Sequence, residues 1–321
     1  MSMPDDRDTR LAVEALSHQP ILAQQGIKGV LPDVNASIIP PHRLVQSVKL
    51  VRGGGQKRLP AKDALVFGEL TQREVAEEIP IALVYNGISH VVLMATPQDY
   101  FDLAVGFSIS EGIIADATEI MRMESRQSKL GVEIHIDILA RRLHDLQQRR
   151  RNAVGATGCG LCGIESLQQL EMGVVRQKPQ LVAPISVKHI FQAFSDMDQQ
   201  QILNQRSHSL HAAAFANRAG EVKILREDVG RHNALDKLIG AMAQFDKGAG
   251  IAVSEGFILM TSRCSYELVR KAARIGTGLL ATISAPTARA LDEANAAEMG
   301  LIALARPDAL QIFCHSARIC D

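Results

Sequence analysis

The sequence predicts an α/β layered protein, and three observations carry that prediction. Strand-like and helix-like segments alternate regularly beyond residue 185. A tight hairpin, a helix and a further strand precede residue 150. Of the 321 residues, 46% are hydrophobic and 22% charged, the usage of a chain with a well-filled core.

Residues 1–44 mix charge, proline and short apolar pieces without a sustained period, and read as an extension or loosely docked arm. Residues 53–60, beginning Gly53-Gly54-Gly55, resemble a glycine-rich phosphate loop but lack its Gly-Lys-Ser/Thr ending, and read as a turn. Strands at 79–85 and 88–94 flank Asn86-Gly87, a dipeptide that takes the positive φ values of a two-residue hairpin turn. A helix follows, with Thr96 as its cap, Pro97 at its first position, Asp99 near its positive end and Gly112 as its stop. Its apolar positions, among them Phe101, Leu103, Ala104, Phe107 and Ile109, belong to a core. Val132, Ile134, Ile136 and Ile138 alternate with polar residues and predict a half-exposed strand.

A domain boundary is placed near residue 150, after a stretch rich in arginine and glutamine. Its Arg149-Arg150-Arg151 run reads either as a solvated face or as a group that steers an anionic ligand or acidic partner. The expected units are an extension over 1–44, a smaller domain over 45–150 and a larger α/β domain over 151–321. In the last, helices are predicted at 187–203, 233–242, 266–275 and 287–299. Strands are predicted at 211–216, 222–226, 251–254, 279–284, 301–305 and 311–314, so loops at strand ends should collect function.

Lysine plus arginine equals aspartate plus glutamate, 35 against 35, so no global field gathers phosphate polymers or anionic lipid. The absence of tryptophan and the 4% aromatic content argue against stacking on exposed bases. Neither nucleic acid nor membrane is an expected partner. No apolar run approaches the roughly 20 residues that cross a bilayer, the first residues lack a signal pattern, and the expected address is the cytoplasm. Five scattered cysteines fit a reducing compartment. Cys264, Cys314 and Cys320 stand alone and read as small buried hydrophobes.

The other two cysteines lie in Gly158-Cys159-Gly160-Leu161-Cys162-Gly163. Glycines let a backbone fold around a thiol and aim N–H groups at it, which favours the thiolate that attacks, accepts sulfur or ligates metal. A structural zinc site needs four ligands, and no second C-x-x-C occurs; completion by His208, His211 or His315 stays open. Zinc deaminases pair H-x-E with P-C-x-x-C, whereas here Ala212-Ala213 follow His211 and Gly158 precedes Cys159. Oxidation of the pair also stays open, although a thioredoxin-like C-x-x-C opens a helix near the start of a βαβ unit.

Three polar clusters fall at predicted strand ends. The densest is Glu227-Asp228-Val229-Gly230-Arg231-His232-Asn233. Read blandly, it is a strand-to-helix turn in which Asp228 or Asn233 caps backbone and Arg231 pairs with Glu227. Read functionally, it is a pocket in which Arg231 clamps a phosphate and His232 moves a proton. The second comprises Ser254-Glu255-Gly256 and Thr261-Ser262-Arg263-Cys264-Ser265-Tyr266-Glu267, an anion seat at a helix start or ordinary capping. The third, Leu304-Ala305-Arg306-Pro307-Asp308-Ala309, is by itself a turn.

Several segments together resemble the FdhD/NarQ family of formate dehydrogenase accessory sulfurtransferases. The resemblance spans about residues 43–316, and its carriers are Glu78-Ile79-Pro80-Ile81 with Asn86-Gly87, Leu103-Ala104-Val105-Gly106-Phe107 with Ser110-Glu111-Gly112-Ile113-Ile114, the Cys159–Cys162 motif, His211-Ala212-Ala213-Ala214, Glu227 onward to Asp236-Lys237, Ser262-Arg263, and Ser284-Ala285-Pro286-Thr287. The resemblance implies a cytidine-deaminase-like layered α/β domain with a smaller α+β amino-terminal domain. It implies that Cys159 takes sulfur as a persulfide from a cysteine desulfurase, with Cys162 as its partner thiol. Sulfur then passes to the molybdenum cofactor, bis-molybdopterin guanine dinucleotide, which is bound as substrate for formate dehydrogenase; no intrinsic metal is expected. The family's nucleotide loop maps onto Leu304 to Ala309, and Arg231, His232 and Arg263 are candidate cofactor contacts, with Glu227 and Asp228 positioning them. A homodimer is implied by the same analogy. The chain departs from the family pattern at His208-Ser209-Leu210 and at Ala305-Arg306-Pro307-Asp308, where Pro307 removes an N–H. The competing reading is a non-catalytic cofactor chaperone of formate dehydrogenase.

Overall fold

The computed structural model describes residues 30–31, 39–49, 69–154, 177–179, 182–245 and 252–321. The turn assigned to residues 53–60 and both motif cysteines, Cys159 and Cys162, lie outside the described residues.

In chain order the first half runs β1 (Val30–Leu31), β2 (His42–Lys49), β3 (Glu69–Ala76), β4 (Ile79–Tyr85), β5 (Ile88–Ala95), α1 (Tyr100–Ser110), β6 (Ile120–Ser128), β7 (Gly131–Ile138) and α2 (Ala140–Val154). β2 and β3 pair as an antiparallel ribbon, and a five-stranded sheet has the order β1-β6-β7-β4-β5. The Asn86-Gly87 turn has both residues at positive φ, 46° and 81°, as the hairpin requires. Charges at Arg122, Glu124 and Arg126 hid β6 from a reading based on alternation. The helix α2 continues through residue 150 and ends at Val154.

The start of α1 differs from expectation. Its N-cap is Asp99, at a left-handed φ of 53° and without a side-chain cap bond, rather than Thr96. Thr96 is taken by tertiary partners instead: its hydroxyl accepts from Val229 N at 3.1 Å and its amide donates to Asp228 Oδ2 at 3.0 Å. Gly112, at φ 68°, ends the helix region as predicted. Phe101, Leu103, Ala104, Val105 and Ile109 are all buried, so α1 is covered on nearly every side.

The second half runs β8 (Ile185–Ser186), α3 (Val187–Gln200), α4 (Ile202–Ser207), β9 (His211–Asn217), β10 (Val222–Asp228), α5 (Arg231–Phe245), β11 (Gly256–Met260), α6 (Tyr266–Arg274), β12 (Leu279–Thr282), α7 (Ala288–Ala296), β13 (Gly300–Ala303), β14 (Gln311–Cys314) and β15 (Ile319–Cys320). The helix predicted over 187–203 is two helices broken at Gln201. The strand predicted at 251–254 is also displaced. A single 3₁₀ turn occupies Val253–Glu255, and the strand is the continuous apolar run that follows. Such a run marks a strand buried on both faces. Gly256, placed in the second polar cluster, opens this strand, and a Cβ there would overlap the Ala216 carbonyl on the neighbouring strand.

The main sheet has the order β10-β9-β11-β12-β13-β14. β9 is antiparallel to both β10 and β11, while β11, β12 and β13 are mutually parallel. Alternating side chains face two cores. Ala213, Phe215, Ile258, Met260, Leu280 and Leu301 join residues of α1, α5, α6 and α7 and of the five-stranded sheet. Ala214, Ala216, Phe257, Leu259, Ala281 and Ile302 join Ile190, Ala193 and Met197 of α3. The result is helix, sheet and helix in layers, with a second sheet packed beyond α1.

The helices α1 and α5 cross at two glycines. A Cβ on Gly106 would overlap the Asp236 carbonyl, and one on Gly240 would overlap that of Asp102. Absence of those side chains lets the backbones meet, and this crossing joins the two sheets through one core.

Candidate functional site

Strand direction decides where the polar clusters meet. β10, β11, β12 and β13 all end at one edge of the main sheet, where β9 begins. Residues 229–230, 261–265, 283–287 and 304–310 therefore converge there, with His211 paired in register to Asp228. Backbone bonds stitch these loops together. Thr261 N donates to Ala212 O at 3.1 Å, and Cys264 N to Ala285 O at 3.2 Å. Thr287 N returns to Cys264 O at 3.0 Å, and Ala305 N reaches Thr282 O at 3.2 Å. Segments far apart in sequence become a single rim.

Asp228 is the centre of the densest cluster, and all its capacity is used. Oδ1 accepts from Gly230 N at 2.8 Å and from Asn233 Nδ2 at 3.1 Å. Oδ2 accepts from Thr96 N at 3.0 Å and pairs with Lys237 Nζ at 2.7 Å, both side chains being 0% exposed. Lys237 Nζ also donates to Thr96 O at 3.0 Å, and Asn233 Nδ2 to Met94 O at 2.8 Å. Asp228 and Lys237 thus pin the start of α5 to the end of β5. Glu227 does not pair with Arg231. Its carboxylate caps α4, accepting from Leu203 N at 2.9 Å and Asn204 N at 2.8 Å, while burial raises its pKa against those bonds.

Arg231 and His232 open α5 with their polar atoms less committed. Arg231 Nε and His232 Nε2 are buried and have no hydrogen-bond partner among the described residues. Burial, then the charges of Arg231 and Lys271, lower the His232 pKa to about 4, so its imidazole is neutral at pH 7. His211 is lowered in the same direction, first by burial and then by Arg231. Glu267, on the first turn of α6, is raised by burial but lowered overall by its own backbone N–H and by Ser265, and then by His232 and Arg231.

Arg263 is exposed on the loop before α6, with its carbonyl accepting from Ser262 Oγ at 3.0 Å. On α6, the Tyr266 ring lies between Arg270, 5.4 Å away, and Arg289, 4.8 Å away. In the last loop Leu304 adopts φ 53° and Ala305 is buried, while Arg306, Pro307, Asp308 and Ala309 are exposed. Arg306 N donates to Ala309 O at 2.7 Å and its Nη1 to Ile283 O at 2.8 Å, so this guanidinium braces the rim. The structure brings Arg231, His232, Arg263 and residues 304–309 to one edge.

A second buried network escaped sequence reasoning. Lys271 Nζ binds Asp236 Oδ2 at 2.8 Å, Glu111 Oε1 at 2.7 Å and Ser110 Oγ at 2.9 Å, and Ser110 Oγ bonds Asp236 Oδ1 at 2.6 Å. Its signal was a lysine set between Leu268 and Ala272 on the buried face of α6. Of the lone cysteines, Cys264 and Cys314 are buried and Cys320 is exposed. Burial pushes the Cys264 thiol up to about 12, which suits an inert core thiol. Among the described residues no helix is long and apolar enough to cross a membrane.

Comparison with known proteins bears on this arrangement. The FdhD/NarQ family profile matches residues 76–320. A protein of Chromobacterium violaceum named sulfur carrier protein FdhD is 48% identical over 72% of this chain and 85% of its own length. Another of that name, from Cupriavidus necator, is 44% identical over 78% of this chain and 85% of its own. A crystal structure from Desulfotalea psychrophila, named as a formate dehydrogenase accessory protein, superposes with a TM-score of 0.63. At 22% identity it covers 88% of this chain and 100% of that one, and it shares the fold. The match over most of the length, with both halves of the described fold included, establishes that the chain belongs to the FdhD/NarQ family.

Proposed function

We propose that this protein is a sulfur carrier, a sulfurtransferase serving formate dehydrogenase. Cys159 receives sulfur from a cysteine desulfurase and passes it to the molybdenum cofactor, bound as substrate in its bis-molybdopterin guanine dinucleotide form. The observation that carries the reading is the rim at the carboxyl ends of β10 to β13. There, Arg231 and His232 hold buried nitrogens without partners among the described residues, and α5 and α6 both present their amino-terminal ends. Helix amino termini and guanidiniums favour a phosphate-bearing ligand. The layered sheet with helices on both faces supports the cytidine-deaminase-like architecture that the resemblance implies. The names of relatives at 44% and 48% identity supply the sulfur chemistry.

In this reading the Cys159 thiolate attacks the terminal sulfur of the donor's persulfide. A new S–S bond forms, the donor leaves as its thiolate, and Cys159 becomes a persulfide with no net oxidation. Release of that sulfur as sulfide takes two electrons: the Cys162 thiolate attacks Cys159 Sγ, the outer sulfur leaves as hydrosulfide to the cofactor, and the resulting Cys159–Cys162 disulfide is returned to thiols by a cellular dithiol reductant. Cys162 is the neighbouring thiol that relays or resolves. Arg231 and Arg263 hold anionic groups of the cofactor, and Leu304 to Ala309 form the nucleotide-side wall. A neutral His232 offers a ring nitrogen without adding charge.

The test loads the protein with sulfur from a cysteine desulfurase and cysteine and weighs the intact product. The expected mass gain is one sulfur atom, absent from Cys159→Ala. Sulfur retained on that variant removes Cys159 from the acceptor role. Full formate dehydrogenase activity in cells complemented with the double alanine variant at positions 159 and 162 would point instead to a chaperone.

A further inference from the structure

The segment that carries the cysteine motif leaves the described fold at the end of α2 and returns at Gln177. There the Gln177 amide donates to Ala273 O, in the last turn of α6, at 3.2 Å. Both feet of that segment stand beside arginines. Arg149, exposed near the end of α2, donates through Nη1 to the Gly112 carbonyl at 3.1 Å. The Arg274 guanidinium lies so close to Gly112 that a Cβ there would overlap it. Arg270 stands one turn earlier on α6.

These guanidiniums crowd one another. Burial first, then Arg149, lowers the Arg274 pKa; Glu111 opposes this, and Arg270 and Arg142 add to it. Two carboxylates of this region have other partners, although Glu111 also acts on Arg270 and Arg274. Glu119 holds Arg141 at 2.6 Å and Arg142 at 2.8 Å, and Glu111 binds Lys271 at 2.7 Å. Among the described residues, Arg149, Arg270 and Arg274 are in no ion pair with a carboxylate. A surplus of positive charge therefore stands at the foot of the cysteine segment, and it adjoins the rim because Glu111 and Lys271 also act on His232.

We propose that Arg149, Arg270 and Arg274 form a docking surface for an acidic segment of the protein that delivers sulfur to Cys159. The inference rests on the sulfur-carrier reading. Charge complementarity of this kind steers encounter and fixes orientation more than it adds raw affinity. The helix ends at the patch are carboxyl ends of α1, α2 and α6, which present carbonyls. A small phosphate finds no amide cradle on them, whereas carboxylates spread over a protein surface match guanidiniums on three elements.

The experiment compares two sulfur sources on the full chain: a cysteine desulfurase charged with cysteine, and sodium polysulfide. For the double variant Arg149→Glu with Arg274→Glu, loading from the protein donor at low salt should fall about tenfold or more, because steering is lost. Loading from polysulfide should stay at the wild-type rate. The wild type should slow as salt rises and as polyglutamate is added, and the variant should respond to neither. Should the reversed charges impair folding, Arg149→Gln with Arg274→Gln gives the same contrast at smaller amplitude. Unchanged protein-dependent loading, or an equal fall by both routes in a folded variant, overturns the docking surface. A wild-type chain that takes no sulfur from either source overturns the carrier reading itself, and the inference with it.

Discussion

Two buried lysines lie on neighbouring elements of one core, and they differ in what surrounds them. Lys237 and Asp228 are both 0% exposed, and every described partner of that pair is a backbone group or Asn233. Lys271 shares its charge between the buried Asp236 and Glu111, whose side chain is 46% exposed. The first pair is closed and holds the rim in place. The second opens to solvent through Glu111 and acts electrostatically on His232. A buried ion pair is thus a clamp or a means of tuning, depending on whether one partner reaches water.

The largest effect that would break this comparison is expected at Asp228. Asp228→Ala strands Lys237 in the core and should lower unfolding free energy by about 3–5 kcal/mol in urea titration, with part recovered by adding Lys237→Met. Next comes the helix crossing that carries both networks. Gly106→Ala or Gly240→Ala must separate α1 from α5, at a loss of about 1–3 kcal/mol or more by the same measurement. Lys271→Met should cost about 1–3 kcal/mol, at the lower end if Asp236, whose pKa burial already raises, takes a proton. It should also raise the His232 pKa, followed by NMR, because Lys271 is one of the charges lowering it.

A smaller effect concerns pH. His232 titrates at about 4 in the fold and near 6.5 when unfolded, so the folded chain excludes a proton across that interval. Its contribution to stability is complete above 6.5 and declines as pH falls toward 4. His232→Gln should therefore flatten the fall of Tm over that range, whereas substitution at the closed Lys237 site should leave the His232 contribution to the slope in place. Smallest of all, Arg263→Ala should shift stability by no more than about 0.5 kcal/mol, since the side chain is exposed. Weakened cofactor binding by a normally folded Arg263→Ala would sharpen its assignment to the rim.

Much of the fold was legible wherever local chemistry and tertiary packing agree. Asn86-Gly87 makes its hairpin through φ values that few other dipeptides accept, and Thr287 caps α7 by accepting from Ala290 N at 3.2 Å. The cap expected at Thr96 fails because its partners, Asp228 at the end of β10 and Val229 just after it, lie more than a hundred residues away and not in the helix it precedes. The Glu227-to-Asn233 cluster was visible as a polar concentration. Its division of labour was not, because Glu227 serves α4 and Asp228 serves Lys237 across the fold.

By itself the sequence determined the alternation of strand and helix, the polar residues at the strand ends and, through its motifs, the family. These are properties of short stretches, set by side-chain period, turn chemistry and residue type. Only the tertiary structure decided that β9 runs against its neighbours, so that four distant loops share one rim. It alone also decided that Lys271, invisible in any motif, stands between Asp236, Glu111 and His232. Burial and long-range pairing set those charges, and neither is encoded in any local stretch of chain.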